Sequence, residues 1–228
     1  MIEKGLEFSS FWDKRYLSGY AQSYPWDSVV SFIFRNAPKD LPRSEIKVLE
    51  VGFGTGPNLW FAAREGFRTA GVESSITAVE IARKRFRQDK LEGDLLLGDF
   101  TNLPFEDETF DLAIDRCSLV CVGANAQKKA VSEVQRCLRV GGLFFHNAYT
   151  DCHSSMQTGE QGPDRITMNI EGGALQDNGP LFFTSRNEIN ERFKDGWLLS
   201  KVERREYFDA LNAGGGLHSE WLVVAEKR

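Results

Sequence analysis

The sequence predicts an α/β fold, a doubly wound and mostly parallel sheet with helices on both faces. Three observations carry this reading. A β-branched run from Lys47 to Val51 meets three alternating glycines and then a helix-compatible segment. Short apolar runs go on to alternate with amphipathic stretches as far as Asn147. Beyond them, Trp197 to Phe208 and Leu217 to Ala225 alternate apolar and polar residues around Gly214-Gly215-Gly216, the pattern of a terminal antiparallel pair.

Length and composition set the frame. The chain has 228 residues, enough for one large domain with room for an insertion. Its net charge is −5 and no basic run stands out, so no nucleic-acid partner is expected. No apolar stretch approaches membrane-spanning length, so no membrane partner is expected either. Met1-Ile2-Glu3-Lys4-Gly5 lacks the basic-then-apolar pattern of a signal peptide, and a cytoplasmic location is the expectation. Cys117, Cys121, Cys137 and Cys152 read as thiols in a reducing compartment. His146, Cys152 and His153 match no compact zinc spacing, so no metal is expected.

The N-terminal 44 residues are rich in aromatics. Phe8, Phe11, Trp12 and Tyr16 recur at near-helical spacing, and Tyr20, Tyr24 and Trp26 follow. Asp27 is placed to cap a second helix that carries Val29, Val30, Ile33 and Phe34. That second helix reads as packing for the sheet. Trp12, Tyr16 and Trp26 read as a lid, because aromatic faces attract a cation and exclude water.

The glycine stretch is Glu50-Val51-Gly52-Phe53-Gly54-Thr55-Gly56-Pro57-Asn58. Its glycines permit φ > 0 and close approach of a ligand to the backbone. Free N–H groups at the following helix start favour an acidic or strongly hydrogen-bonding ligand. Pro57 suits the first helical turn, where no N–H is needed. It also stands where the dinucleotide fingerprint would have its third glycine, which counts against a nicotinamide enzyme. Glu50 sits in the strand itself, and a buried acid needs a partner.

Glu50-Val51-Gly52-Phe53-Gly54-Thr55-Gly56 resembles the first motif of class I S-adenosylmethionine-dependent methyltransferases, E/D-x-G-x-G-x-G. The resemblance implies that the loop of Gly52, Gly54 and Gly56 wraps the methionine part of the cofactor. It also implies that Glu50 helps hold the cofactor's amino group. Phe11-Trp12-Asp13-Lys14-Arg15-Tyr16 is similar to an N-terminal segment of thiopurine-type and tellurite-resistance-type methyltransferases, which covers the cofactor.

The later elements follow in order. Asn58 to Glu65 reads as a helix ended by Gly66. Thr69 to Val72 is the second strand, and Glu73 closes it with Ser74 beside it. Glu73 lies about 20 residues past the first glycine, where doubly wound folds place an acid on the ribose hydroxyls. Thr77-Ala78-Val79-Glu80 reads as a capping box opening a helix to about Gln88. Leu95 to Phe100 is the third strand and its end, where the resemblance gives Asp99 and Phe100 to the adenine. Leu112 to Asp115 is the fourth strand, and its end should face the transferred methyl group. Asp115-Arg116-Cys117-Ser118 matches neither the [DN]-P-P-[YFW] of exocyclic-amine enzymes nor the Pro-Cys of cytosine-C5 enzymes. Gln127 to Leu138 is an amphipathic helix ended by Gly141-Gly142, and Leu143 to Asn147 is the fifth strand. Residues 148–181 are polar and glycine-punctuated, and read as an insertion that covers the acceptor. Ser185 and Glu188 form a second capping box, opening a helix to Phe193.

The resemblance covers about residues 46–226. It implies a seven-stranded, mostly parallel sheet with a terminal antiparallel strand, in one methyltransferase domain over residues 1–228. It further implies methyl transfer from S-adenosylmethionine to an O or N atom of a small-molecule acceptor, by a monomer or homodimer. The activated cofactor makes a dedicated base optional, and Asp115, His146 and His153 are candidates by position alone, with Asp115 also counted among the residues that face the cofactor. Two rivals stand beside it. One is a protein or tRNA acceptor, which calls for a basic or peptide-binding groove. The other is a non-catalytic cofactor-binding partner subunit, which calls for gaps in the binding motifs.

Overall fold

The computed structural model describes residues 7–211 and 216–228, with side chains from residue 10 onward. The expectations for Met1 to Gly5, for the packing of Phe8 and for the Gly214-Gly215 part of the turn lie outside the described residues.

Two helices lead in, α1 (Glu7–Leu17) and α2 (Asp27–Asn36). Asp27 is the first residue of α2 and Trp26 its N-cap, with no side-chain cap. Val29, Phe32 and Ile33 bury one face of α2 against Ile46, Val48, Ile114 and Phe145 of the sheet. Then come β1 (Lys47–Val51), α3 (Pro57–Arg64), β2 (Arg68–Glu73), α4 (Ile76–Gln88), β3 (Asp94–Leu97) and β4 (Phe110–Arg116). They are followed by α5 (Ala124–Cys137), β5 (Leu138–Tyr149), the two-residue strands β6 (Glu160–Gln161) and β7 (Thr167–Met168), and α6 (Arg186–Arg192). The antiparallel pair β8 (Trp197–Tyr207) and β9 (His218–Lys227) ends the chain.

The main sheet has seven strands in the order β3-β2-β1-β4-β5-β9-β8. β1 to β5 pair in parallel, and β9 runs antiparallel to both β5 and β8. The order reverses at β1 and β4, which opens a crevice beyond their carboxyl ends. One core cluster lies under α5 and α6, built on Leu49, Ala113, Val134, Phe144 and Val223. The α2 cluster covers the opposite face.

The structure shifts some element ends. Ser75, not Thr77, caps α4, accepting from Ala78 N at 3.1 Å. Thr77 N donates instead to Asp13 Oδ1 of α1 at 3.1 Å. Both residues are good cappers, and the tertiary contact with α1 decides between them. The glycines after α5 do not end that helix. Leu138 turns directly from helix to strand at φ −74 and ψ 145 and pairs with Phe110. Gly141, at φ +78, then sits in a bulge, and pairing resumes at Leu112 with Leu143. The second capping box forms as the sequence implies, with Ser185 N donating to Glu188 Oε2 at 2.8 Å.

Residues 148–181 carry structure of their own. β5 runs on through Tyr149, and β6 pairs with β7 as a small hairpin. Ile170, Leu175 and Leu181 pack with Val120, Ala148 and Phe183 into a separate apolar cluster.

Candidate functional site

A cavity of about 1070 Å³ opens at the carboxyl ends of β1, β2 and β4. Glu50, Gly52, Gly54, Glu73, Ser74, Asp99 and Phe100 line it from the sheet side. Trp12, Tyr16 and Trp26 line it from the N-terminal helices. Gly56, Asp115 and His146 are not on its wall.

The loop between β1 and α3 owes its shape to its glycines, at φ +66 for Gly52, +54 for Gly54 and +73 for Gly56. Crowding adds a second reason. A Cβ on Gly54 would stand 2.9 Å from the Tyr16 hydroxyl, and one on Gly56 2.9 Å from Ala82 Cβ. A Cβ on Gly52 would clash with the Ser118 side chain. Gly56 therefore serves helix packing, while Gly54 lies under the aromatic lid.

Glu50 is 2 % exposed. Trp26 N–H donates to Asn58 Oδ1 at 3.0 Å, which fixes the amide so that Asn58 Nδ2 donates to Glu50 Oε1 at 2.7 Å. Among the described residues, Glu50 Oε2 has no hydrogen-bond partner. Burial, aided by the Asp115 and Glu73 charges, pushes the Glu50 carboxyl up to about 8. An orphaned acid oxygen on a cavity wall asks for a donor from a ligand, and an ammonium group fits it.

Glu73 is more than a strand-end acid. Its oxygens accept from Gly54 N at 2.8 Å and Ser75 N at 2.9 Å, so it ties the glycine loop to the start of α4. Burial pushes its carboxyl up, against the pull of those backbone bonds. Oε1 also accepts from Ser74 Oγ at 3.4 Å, and Oε2 keeps further lone-pair capacity. Asp99 is exposed and accepts from Thr101 N at 2.8 Å, while Phe100 packs on the main core.

Trp12, Tyr16 and Tyr20 form a cluster with ring centroids about 6 Å apart. Burial raises the Tyr16 phenol, so it stays a neutral donor above Gly54. From the same helix, Arg15 donates to Asn178 Oδ1 at 2.6 Å and to the Asp177 carbonyl at 3.1 Å. Helix α1 thus reaches across to the 148–181 insertion.

Asp115 and His146 are both fully buried behind the cavity. Arg192 Nη1 can only donate, and it faces His146 Nε2 at 3.1 Å. The imidazole therefore carries its hydrogen on Nδ1 and donates to Asp115 Oδ2 at 2.7 Å. Burial keeps His146 neutral, working against the pull of Asp115. Asp115 Oδ1 accepts from Ser118 N at 2.8 Å and Leu119 N at 3.1 Å, and so shapes the turn after β4. His153 is buried too, pushed down to about 4 by burial and by neighbouring His218.

Sequence reasoning missed a polar wall made by the ends of β4, β5 and β9. Arg116, Tyr149, His218 and Glu220 line the cavity there. Arg116 lies over Trp26 at 3.9 Å from the ring centroid. Beside it, Cys117 sits at φ +57, and burial pushes its thiol up to about 12, which disfavours the thiolate. The available signal was Arg116 itself, a cation closing a buried strand.

The residues present fit S-adenosylmethionine: an orphaned acid for its ammonium, an acid at the second strand end, and a glycine turn between them. Comparison with known proteins agrees. A family described as "Methyltransferase domain" matches residues 48–142. The chain is 32% identical over 165 residues to a phthiotriol/phenolphthiotriol dimycocerosates methyltransferase of Mycobacterium leprae, covering 72% of this chain and 54% of that protein. It is 35% identical over 99 residues to methyltransferase GfsG of Streptomyces halstedii, covering 42% of this chain and 35% of that protein. The chain thus spans about a third to a half of the length of these relatives. A structure of Burkholderia thailandensis 1,6-didemethyltoxoflavin-N1-methyltransferase, with its acceptor and S-adenosylhomocysteine bound, superposes with a TM-score of 0.65. That match is 14% identical over 100% of this chain and 92% of the other, so it speaks for the fold. On this sheet order and this glycine turn the chain has the class I methyltransferase fold, and residues 48–142 match a methyltransferase domain.

Proposed function

We propose that this chain transfers the methyl group of S-adenosylmethionine to an O or N atom of a small-molecule acceptor. The observation that carries the reading is Glu50 Oε2, buried, without a hydrogen-bond partner among the described residues, on a residue of the crevice wall. Glu50 would hold the cofactor's ammonium, Glu73 its ribose hydroxyls, and Asp99 with Phe100 its adenine. When bound, the cofactor supplies a methyl group already activated on a sulfonium.

The chain's own task is alignment and exclusion of water. In this reading Trp12, Tyr16 and Trp26 close over the crevice, with their aromatic faces toward the sulfonium. The insertion at 148–181 covers the acceptor, and Arg15 latches the two covers together. Asp115 and His146 hold the turn after β4 in place, and no dedicated base is assigned to them. A cavity walled by charged and aromatic groups suits a small polar acceptor better than a polymer. The Burkholderia neighbour, which holds a small acceptor, supports this size class.

The test is a labelling screen. Purified protein, methyl-labelled S-adenosylmethionine and a cell extract are incubated and then fractionated. Label is expected in small molecules. Label found in protein or RNA alone overturns the small-molecule reading, and no transfer to any fraction overturns the enzymatic one.

A further inference from the structure

The polar wall of the cavity carries charges that the fold leaves half-used. Arg116 ends β4, Tyr149 ends β5, and His218 and Glu220 begin β9. Strand register brings them together, since Tyr149 pairs with Glu220 and Arg116 with Asn147.

Arg116 is a largely buried guanidinium set among Cys117, Glu220 and Trp26. Its side chain is 13% exposed. Among the described residues, Nη1 meets the Cys117 sulfur and Nε has no hydrogen-bond partner. Nη2 stands 3.9 Å from Glu220 Oε2, beyond hydrogen-bond reach. On the other side of Glu220, His218 Nε2 is also 3.9 Å from Oε2. The Asn147 amide donates to that oxygen at 3.2 Å. Burial alone would push the Glu220 carboxyl up, but His218 and Arg116 outweigh it and hold it ionised.

The state of His218 follows from its neighbours. Ser155 N–H can only donate, and it does so to His153 Nδ1 at 3.1 Å. Neutral His153 then carries its hydrogen on Nε2 and donates to His218 Nδ1 at 3.2 Å. His218 is left with its own hydrogen on Nε2, on the Glu220 side. The wall therefore reads donor at Arg116, acceptor at Glu220, donor at His218.

Resting on the methyltransferase reading above, we propose that the gap between Arg116 and Glu220 is the recognition site for the acceptor molecule. Its ligand is a neutral edge that sets a carbonyl oxygen beside an N–H or O–H, as in an amide or a hydroxy-carbonyl compound. The carbonyl takes the free N–H groups of Arg116, and the N–H or O–H donates to Glu220. A simple anion would meet Arg116 but be forced against the Glu220 carboxylate. A simple cation would meet Glu220 but be forced against Arg116. The dipolar edge suffers neither repulsion. Val120, Leu181 and the Tyr149 ring line the same cavity, so the edge belongs to a ring-sized apolar body.

The test uses protein saturated with S-adenosylhomocysteine and three probes of one shape: benzamide, benzoate and benzylamine. Affinities are read by chemical-shift titration. Benzamide is expected to bind about fivefold or more tightly than either charged probe, as one net hydrogen bond would give. Arg116→Lys and Glu220→Gln should each erase that preference, and Glu220→Gln should do so while S-adenosylhomocysteine affinity stays within about twofold of the parent. Should either variant fail to fold, the ranking on the unmodified protein decides alone. Benzoate or benzylamine ranking first, or all three equal, overturns the proposal. Failure of S-adenosylhomocysteine itself to bind overturns the methyltransferase reading instead, before any probe is added.

Discussion

Glu50→Gln should make the ligand-free protein more stable and the cofactor weaker. The carboxyl stands at about 8 in the fold against 4.5 in the unfolded chain, because burial disfavours its charge. The fold therefore keeps a proton that the unfolded chain has released. Stability from this group is full below 4.5 and is lost as pH rises toward about 8. Near pH 7 that loss amounts to about 3 kcal/mol, at the usual 1.4 kcal/mol per pH unit. Glutamine carries no such charge and still offers Asn58 an acceptor oxygen. Thermal melts should show the variant more stable near pH 7, by up to about 3 kcal/mol, with the difference vanishing near pH 4. Calorimetry should show S-adenosylhomocysteine affinity down by about tenfold or more, since an ammonium–carboxylate bond is lost. The parent protein should release a proton on binding near neutral pH, visible as a heat that depends on the buffer. The reasoning fails if the variant is less stable at every pH, or if it binds the cofactor product unchanged.

The other predictions can be tested on single variants. Glu73→Ala removes acceptors for Gly54 N and Ser75 N, so it should lower stability by about 1–3 kcal/mol as well as cofactor affinity by about tenfold. A melt and a titration that both match the parent would refute its place in the loop. Asp115→Ala leaves the His146 Nδ1–H and the Ser118 and Leu119 amides without their acceptor, and should cost about 1–3 kcal/mol for each buried donor so orphaned, read in denaturant melts. A variant of parental stability that has lost turnover would make Asp115 a base after all. Arg15→Ala unlatches α1 from residues 177–178, so cofactor-product affinity should fall by roughly fivefold, with a smaller change in tryptophan emission on binding. Equal affinity and equal emission change would mean that the latch has no part in closure.

Much of this was legible because it is local. The glycine spacing, the strand-to-helix turn and the acid closing β2 are dictated by short-range backbone needs, so 47–58 and Glu73 announce the crevice. Residues that lie far apart in sequence were harder. Thr77 looked like a cap until Asp13, on α1, drew its N–H away. The Leu138 junction needed the pairing with Phe110 to be seen. Asp115 and His146 sit at the right strand ends, but alternation along β4 and β5 does not say which side chains Arg192 will seal off. The Arg116–Glu220 wall joins residues 104 positions apart through two strand pairings, and no local motif marks it. The insertion reads as a polar, glycine-punctuated cover whose internal order is not visible in the sequence, because its apolar residues are sparse. Its contacts with Val120 and Phe183 supply the order that its own sequence does not advertise.

The central claim is that the crevice beyond β1, β2 and β4 holds S-adenosylmethionine. It is tested most directly by calorimetry of the unmodified protein with S-adenosylmethionine, S-adenosylhomocysteine and NAD in turn. The two sulfur cofactors are expected to bind at one site per chain, and NAD not to bind, because Pro57 stands where a dinucleotide turn needs glycine. Tight NAD binding with no heat from either sulfur cofactor would contradict the account.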